Sequence, residues 1–227
     1  MNNSFSKLKS SVLFAFSIAF FTLVAFAAPT TTTTTAKVQS GPPKLEADIS
    51  KQAAGDYVLD KAHASVTWRV AHMGLSQYTA RFDKMDGKMN FTPATASASR
   101  VEFTIDATSI NTGLAPFNKK LQGAEYFDAE KNANITFKSN KVEFVSGNKY
   151  KMSGDMTLRG VTKPMVWDVT FNGGLYNPYA QAHAIGFSAK GLVKRSDWGM
   201  TELIGVVGDN VEVLVEVEFL HRSNAAQ

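Results

Sequence analysis

Histidines are the side chains of this sequence best suited to acid–base or metal chemistry, and their spacing argues against both. His63, His72, His183 and His221 are scattered, with no H-x-x-x-H or H-E-x-x-H pair among them. The chain has no cysteine, which excludes thiolate nucleophiles, thiolate metal sites and disulfides. A G-x-S-x-G turn, a P-loop and a G-x-G-x-x-G loop are also missing. We therefore expect a protein that is not an enzyme and has neither a metal site nor a cofactor.

Two polar residues could nevertheless contact a ligand. His72 is in register with Val66, so it is expected to point inward at a strand end. There it is either a hydrogen-bonded core histidine or a polar contact at the mouth of an apolar cavity. Arg195 either pairs with Asp197 to fix a loop, or binds an anionic head group, since its planar guanidinium matches phosphate.

Alternating segments that must position these groups fill most of the chain. The clearest is 211–219, where the valines at odd positions and Phe219 share one face, while three glutamates and Leu214 lie on the other. A period of two predicts a β-strand with one buried face. Further strands are predicted at 66–72, 85–91, 101–105, 135–137, 142–144, 150–158, 165–171 and 185–193. So many short strands predict an all-β antiparallel sandwich or barrel.

Breaks in the alternation predict the connections. Phe82 is out of phase with Met85, which indicates a bulge at residues 83–84. The pair 147–148 predicts a hairpin turn, and 159–160 and 173–174 predict other turns. The segment from Pro116 to about Gly123 has near-helical spacing and predicts a short helix that could cover one opening of a barrel.

The inward-facing aromatic and methionine side chains leave two alternatives open. A barrel of about eight strands either fills with side chains or holds one small ligand. The same residues would form an ordinary core in the first case and line a cavity in the second. Methionine adapts to irregular apolar partners, which favours the cavity.

The N-terminus is typical of an exported protein. Lys7 and Lys9 precede an uncharged apolar run that ends in the A-x-A cleavage site 25–27. We assign residues 1–27 to a cleaved signal peptide, although an uncleaved anchor is the alternative, and expect a periplasmic location. Residues 28–54 contain six consecutive threonines and are predicted to be a flexible linker before a domain at 55–222.

The charge of the chain argues against nucleic-acid binding. The net charge is +4, and cleavage of the signal would remove two lysines and no acid. No basic cluster remains in the sequence. We expect a solvated surface of mixed charge and no nucleic-acid partner.

Ordered motifs make the sequence resemble the YceI-like family. The landmarks are HASVTW (63–68), HMGLS (72–76), RF (81–82), SINTG (109–113), FDAEK (127–131), ITFKS (135–139), GDMTLRGVTKP (154–164), GFSA (186–189) and RSDWG (195–199). The resemblance extends from about Asp56 to Phe219. It implies a lipocalin-like, eight-stranded antiparallel barrel with a short helix near one end. It also implies an exported protein that binds a polyisoprenoid chain, such as a quinone tail or a prenyl pyrophosphate.

The chain departs from the family pattern in two places. FNKKL (117–121) stands where many members carry Arg-Asp-x-His-Leu, and Asn132-Ala133 replaces a Tyr-Pro pair. Lys119 or Lys120 could supply the missing positive charge, without the bidentate geometry of arginine.

The sequence therefore predicts a carrier of an isoprenoid lipid or isoprenoid quinone in an apolar tunnel. An enzyme acting on the same lipid, and a solid-cored interaction or stress module, are the alternatives. Transient membrane contact and a homodimer are further expectations. The predicted ligand-binding residues are Val66, Trp68, Val70, His72, Phe103, Ile105, Phe117, Lys120, Leu121, Phe137, Trp167, Phe187, Arg195 and Trp198.

Overall fold

A computed structural model describes residues 44–222, and the predicted signal peptide lies outside the described residues. The strands are β1 (Gly55–His72), β2 (Ser76–Phe82), β3 (Met85–Phe91), β4 (Arg100–Asp106), β5 (Ile110–Asn111), β6 (Asn134–Ser146), β7 (Lys149–Leu158), β8 (Val161–Asn177), β9 (Ala182–Lys194) and β10 (Val207–His221). The helix α1 spans Ala115–Gln122, close to its predicted position. Short 3₁₀ helices span Ile49–Lys51, Pro93–Ala98, Ala107–Ser109 and Arg195–Trp198.

The sheet closes on itself as an antiparallel barrel. Its strand order is β10-β9-β8-β7-β6-β4-β3-β1-β2-β5, and β10 also pairs with β1. The first part of β1 pairs with β3 and the second part with β2, so β2 and β3 together form one bent wall strand. In the same way β5 continues β4 along β2. The wall therefore has eight strands, as the resemblance to the family implied, and the pairing of β10 with β1 closes it.

The bend between β2 and β3 falls where the alternation slips. Phe82 and Met85 are both buried, although strict alternation would place residues i and i+3 on opposite faces. Residues 83–84 between them are exposed. Residues 83–84 form the bulge at which the chain stops pairing with the second part of β1 and begins to pair with the first part. β6 and β7 meet at Gly147 and Asn148, so this predicted hairpin turn is confirmed.

Two ends of the barrel can be distinguished by their loops. The helix end contains α1, the β1–β2 turn at 73–75 and the β9–β10 connection at 195–206. The strap end contains the 3₁₀ helix Pro93–Ala98, the β8–β9 turn and residues 44–54, which we call the strap.

The strap is ordered against the barrel, and the predicted linker therefore extends too far toward the domain. Glu46 forms an antiparallel bridge with Gly174, with N···O distances of 2.8 and 2.9 Å. Gln52 is buried; its amide nitrogen donates to Asp48 O at 2.8 Å, and its Oε1 lies 2.9 Å from His183 Nε2. These contacts satisfy the side chain of a residue that polarity alone would place in solvent.

Gly173 and Gly174 do not form the turn that the sequence predicted. They lie inside β8, next to a register shift, and the strap crosses directly over them. A Cβ atom on Gly174 would lie 2.0 Å from Gln52 Oε1. These glycines are therefore needed for close approach of the strap rather than for a reversal of the chain.

Candidate functional site

A cavity of about 660 Å³ occupies the interior of the barrel. Aliphatic and aromatic side chains from all the walls line it, among them Val66, Trp68, Met89, Phe137 and Trp167. The volume falls within the range of pockets that hold small ligands, about 300–1,000 Å³. The solid-cored barrel that the sequence left as an alternative is therefore wrong.

Side-chain size on facing strands explains why the interior is hollow. Gly191 lies on the inner face of β9, and a Cβ atom there would be 2.7 Å from Trp167 Cε3. Without that Cβ, the indole of Trp167 can lie against the wall instead of across the cavity. On β10, Val211, Val213 and Val215 face inward with short side chains and are only half-buried, since they border empty space.

The cavity opens at the helix end. The lining residues with exposed side chains are His72, Leu114, Lys120, Glu202 and Leu203, and all of them belong to that end. At the strap end, Ile49 and Ala96 from the two 3₁₀ helices line the cavity. No lining residue at the strap end is exposed within residues 44–222. The site is thus a blind apolar pocket with a polar mouth.

The structure brings together almost all of the predicted ligand-binding residues. Those that line the cavity are Val66, Trp68, Val70, His72, Phe103, Ile105, Phe117, Lys120, Leu121, Phe137, Trp167, Phe187 and Arg195. Trp198 is buried but is not among the lining residues. It belongs to the 3₁₀ helix after β9, where inward and outward positions no longer alternate as they do along a strand.

His72 stands at the mouth rather than in the core. Its side chain is exposed, and within residues 44–222 it has no hydrogen-bond partner. Of the two alternatives for this residue, the buried core histidine is therefore wrong. Lys120 is also exposed at the mouth, with its ammonium nitrogen 5.9 Å from the centre of the Tyr126 ring.

Arg195 holds the β9–β10 connection and is not paired with Asp197. Only 6% of the residue is exposed. Its Nε donates to Gly208 O at 2.8 Å, its Nη1 to Met200 O at 2.9 Å and Glu202 O at 2.8 Å, and its Nη2 to Val207 O at 3.1 Å. These bonds use four of the five guanidinium N–H groups, so the planar fork is not free to bind a phosphate. The aliphatic part of the Arg195 side chain lines the cavity, and its guanidinium group anchors the β9–β10 connection.

Several residues of the site were not identified from the sequence. Tyr78 and Phe82 of β2, the valines of β10, and Glu202 and Leu203 of the β9–β10 connection also line the cavity. The alternation of 211–219 could have assigned the valines, because it had already grouped them on one face. Nothing in the local sequence indicated that the loop residues meet at the mouth.

One described cluster outside the cavity has the donor types of a metal site. Ligand atoms of Asp60, His63 and Glu218 lie within 4.8 Å of one another on the outer surface. His63 Nδ1 is already 2.9 Å from Asp60 Oδ2. This hydrogen bond raises the pKa of His63 and lowers that of Asp60. The cluster is explained as an exposed ion pair at the bulge of β1.

His183 should make the free energy of unfolding depend on pH in the opposite sense to His63. Burial, and to a smaller extent nearby His221, lowers the pKa of His183. The His183 imidazole therefore binds a proton more readily in the unfolded chain than in the folded protein. The contribution of neutral His183 to the free energy of unfolding is complete above about pH 6.5 and is lost as pH falls through the folded-state pKa. We expect His183→Gln to reduce the loss of unfolding free energy between about pH 7.5 and 5.5, measured by urea titration.

His63→Gln is the matched comparison for that experiment. Because the pKa of His63 is raised, the stabilisation it provides is complete below about pH 6.5 and is lost as pH rises through the folded-state pKa. Its removal should therefore steepen the loss of stability at acid pH. Equal slopes in the two variants would contradict both assignments.

A closed antiparallel barrel with a blind apolar cavity and a polar mouth defines a lipocalin-like class of ligand-binding barrel. The model of the YceI-like domain matches residues 57–219. The chain belongs to the YceI-like family, as its motifs indicated. Within residues 44–222 no helix has the length and apolar character needed to cross a bilayer.

Individual relatives agree with this assignment. A UPF0312 protein of Serratia proteamaculans is 35% identical over 167 residues, which cover 73% of this chain and 86% of the relative. The crystal structure of Burkholderia cenocepacia BcnA is similar with a TM-score of 0.64 at 24% identity, covering 70% of this chain and 98% of BcnA. A polyisoprenoid binding domain from Saccharophagus degradans is similar with a TM-score of 0.56 at 18% identity, covering 73% of this chain and 98% of that domain.

Proposed function

We propose that the protein is an exported carrier that sequesters one polyisoprenoid lipid in the barrel cavity. The apolar lining of the cavity is the observation that carries the proposal. The polyisoprenoid class is suggested by the Saccharophagus degradans domain, which shares the fold. Export to the periplasm is supported by the charged start, apolar run and cleavage site of residues 1–27.

Burial of hydrocarbon provides the free energy of binding. Each CH₂ group removed from water contributes about 0.8 kcal/mol, so a chain of several prenyl units gains more than about 10 kcal/mol before costs. Ordering the chain and losing its translational freedom cost a large part of this gain. The expected result is an affinity sufficient to extract the lipid but low enough to release it.

The mouth is suited to a polar head group that stays near water. His72 and Lys120 offer donors there, and Glu202 places a carboxylate on the same rim. A quinone ring or a pyrophosphate would accept hydrogen bonds from the first two residues. Arg195 is not assigned this role, because backbone carbonyls already occupy four of its five guanidinium N–H groups.

Binding is favoured over catalysis by where the charged groups lie. His72, Lys120 and Glu202 stand at the mouth and the guanidinium of Arg195 is held by backbone carbonyls, whereas the rest of the lining is apolar apart from the hydroxyl groups of Ser99, Thr136 and the tyrosines. An enzyme acting on the lipid would need an acid or base at the reacting bond, and His72 is the candidate. Retention of function in cells by His72→Ala would remove that candidate.

Native mass spectrometry of protein purified from its own host tests the proposal. We expect a non-covalent adduct that disappears on denaturation, and an isoprenoid lipid in the organic extract. Phe103→Asp, which places a carboxylate on the cavity wall, should lose the adduct. An empty wild-type protein, or an adduct of another chemical class, would contradict the proposed function.

A further inference from the structure

The helix end of the barrel exposes a group of large apolar side chains around the mouth. Met73 and Leu75 belong to the β1–β2 turn, Leu114 precedes α1, and Leu203, Ile204 and Val206 belong to the β9–β10 connection; we call these six residues the apolar rim. Leu75 is 81% exposed and Leu114 is 63% exposed. A contiguous exposed apolar surface of this kind marks a site of interaction with a protein or a membrane.

The rim residues are neighbours in space and not only in type. Met73 N donates to Val206 O at 2.8 Å, which joins the β1–β2 turn to the β9–β10 connection. Leu114 and Leu203 both line the cavity while remaining exposed, so they belong to the mouth and to the outer surface at once. The apolar lining of the pocket therefore reaches the rim at Leu114 and Leu203, beside the polar residues of the mouth.

Two residues of the apolar rim have a strained backbone conformation. Met73 and Leu203 have φ angles of 52° and 57°, in the left-handed region that disfavours residues with a Cβ atom. Glycine or asparagine would satisfy both turns with less strain. Strained residues of this kind are concentrated at functional sites.

The charges beside the rim indicate which surface it meets. Lys119 and Lys120 lie in the last turn of α1, and neither has a carboxylate partner within 4.0 Å among residues 44–222. Unpaired lysines next to an apolar surface are attracted to anionic lipid head groups. The β1–β2 turn carries no charge, and the β9–β10 connection carries two acids, Asp197 and Glu202, besides Arg195.

We propose that the apolar rim docks the mouth of the cavity on a phospholipid bilayer that contains anionic lipids. This inference rests on the proposed lipid-carrying function. With the rim inserted among the head groups, a long hydrocarbon chain can pass from bilayer to cavity without crossing water. The strap end would then face away from the membrane.

Leu75→Ser combined with Ile204→Ser tests the docking, because neither residue lines the cavity. The full mature protein is sedimented with vesicles of phosphatidylcholine and phosphatidylglycerol that carry a radiolabelled long-chain polyprenol. We expect vesicle binding and the initial rate of polyprenol uptake to fall at least about tenfold. The amount of polyprenol held after loading from detergent should equal that of the wild type.

Tyr179→Ser combined with Phe144→Ser is the matched control at the strap end. These residues are 97% and 65% exposed, so the control removes a comparable apolar surface far from the mouth. It should bind vesicles as the wild type does. Equal losses in the two double variants, or no loss in the rim variant, would overturn the docking.

Further readouts separate the remaining outcomes. Lys119→Gln should weaken binding to vesicles with phosphatidylglycerol and leave binding to pure phosphatidylcholine vesicles unchanged. If light scattering shows that the rim variant dissociates a dimer while vesicle binding is unaffected, the rim is a subunit interface and the docking is wrong. A wild-type protein that holds no polyprenol after loading from detergent would instead refute the proposed function.

Discussion

Val213→Asp is expected to release the bound lipid, whereas Leu214→Asp one residue further along β10 is expected to retain it. Val213 faces the cavity between Trp68 on β1 and Gly191 on β9. Leu214 points to the outer surface, paired with Thr67 and Lys190. The two substitutions are chemically identical and differ only in the side of the wall on which the carboxylate stands.

The expected size of the effect follows from desolvation. Hydrocarbon in the cavity would strip water from the new carboxylate, which costs about 3 kcal/mol or more. That corresponds to a loss of affinity of at least about a hundredfold. In the empty protein, water can enter the cavity and solvate the same group, so the Val213 variant should still fold.

Native mass spectrometry of the lipid adduct and thermal unfolding of both variants provide the measurement. The adduct should be lost from Val213→Asp alone, while both variants unfold cooperatively. Retention of lipid by Val213→Asp would show that the ligand does not occupy the interior. Loss of lipid from both variants would show that β10 acts through its stability rather than through its inner face.

The wall of the barrel could be predicted from the sequence because alternation is a local property. Each strand shows which of its faces is apolar, and Phe82 and Met85 even reveal the break between β2 and β3. The near-helical spacing from Pro116 to about Gly123 indicated the helix, and the resemblance to the family implied a closed barrel of eight strands. The cavity-lining residues on the strands followed, since they are the inward positions of the same alternation.

The parts that could not be predicted depend on contacts between distant residues. Gly173 and Gly174 have the composition of a turn, yet their role is to admit the strap, which lies more than a hundred residues earlier in the chain. Trp198 lies beyond a strand end, where alternation no longer assigns a face. In both cases local chemistry was compatible with two structures, and tertiary packing selected one.

Arg195 is the residue whose two alternative roles the structure separates most sharply. As a head-group ligand, it would affect lipid binding and leave stability almost unchanged. As the anchor of the β9–β10 connection, it contributes charge-assisted hydrogen bonds, each worth about 1.5–3 kcal/mol and not fully additive. Arg195→Met also leaves the carbonyls of Met200 and Glu202 without their guanidinium donor, and Met200 is buried.

We expect Arg195→Met to lower the free energy of unfolding by about 3–5 kcal/mol and the melting temperature by about 10 °C. Arg195→Lys should be nearly as damaging, because one ammonium group cannot reach four carbonyls in a plane. Arg81→Met is the matched control: its side chain is half-exposed and paired with Asp83 at 2.8 Å, a contact worth about 0–1 kcal/mol. Urea titration of the three variants measures the differences. A stable Arg195→Met protein that no longer retains lipid would restore the head-group role and contradict the assignment made from the geometry.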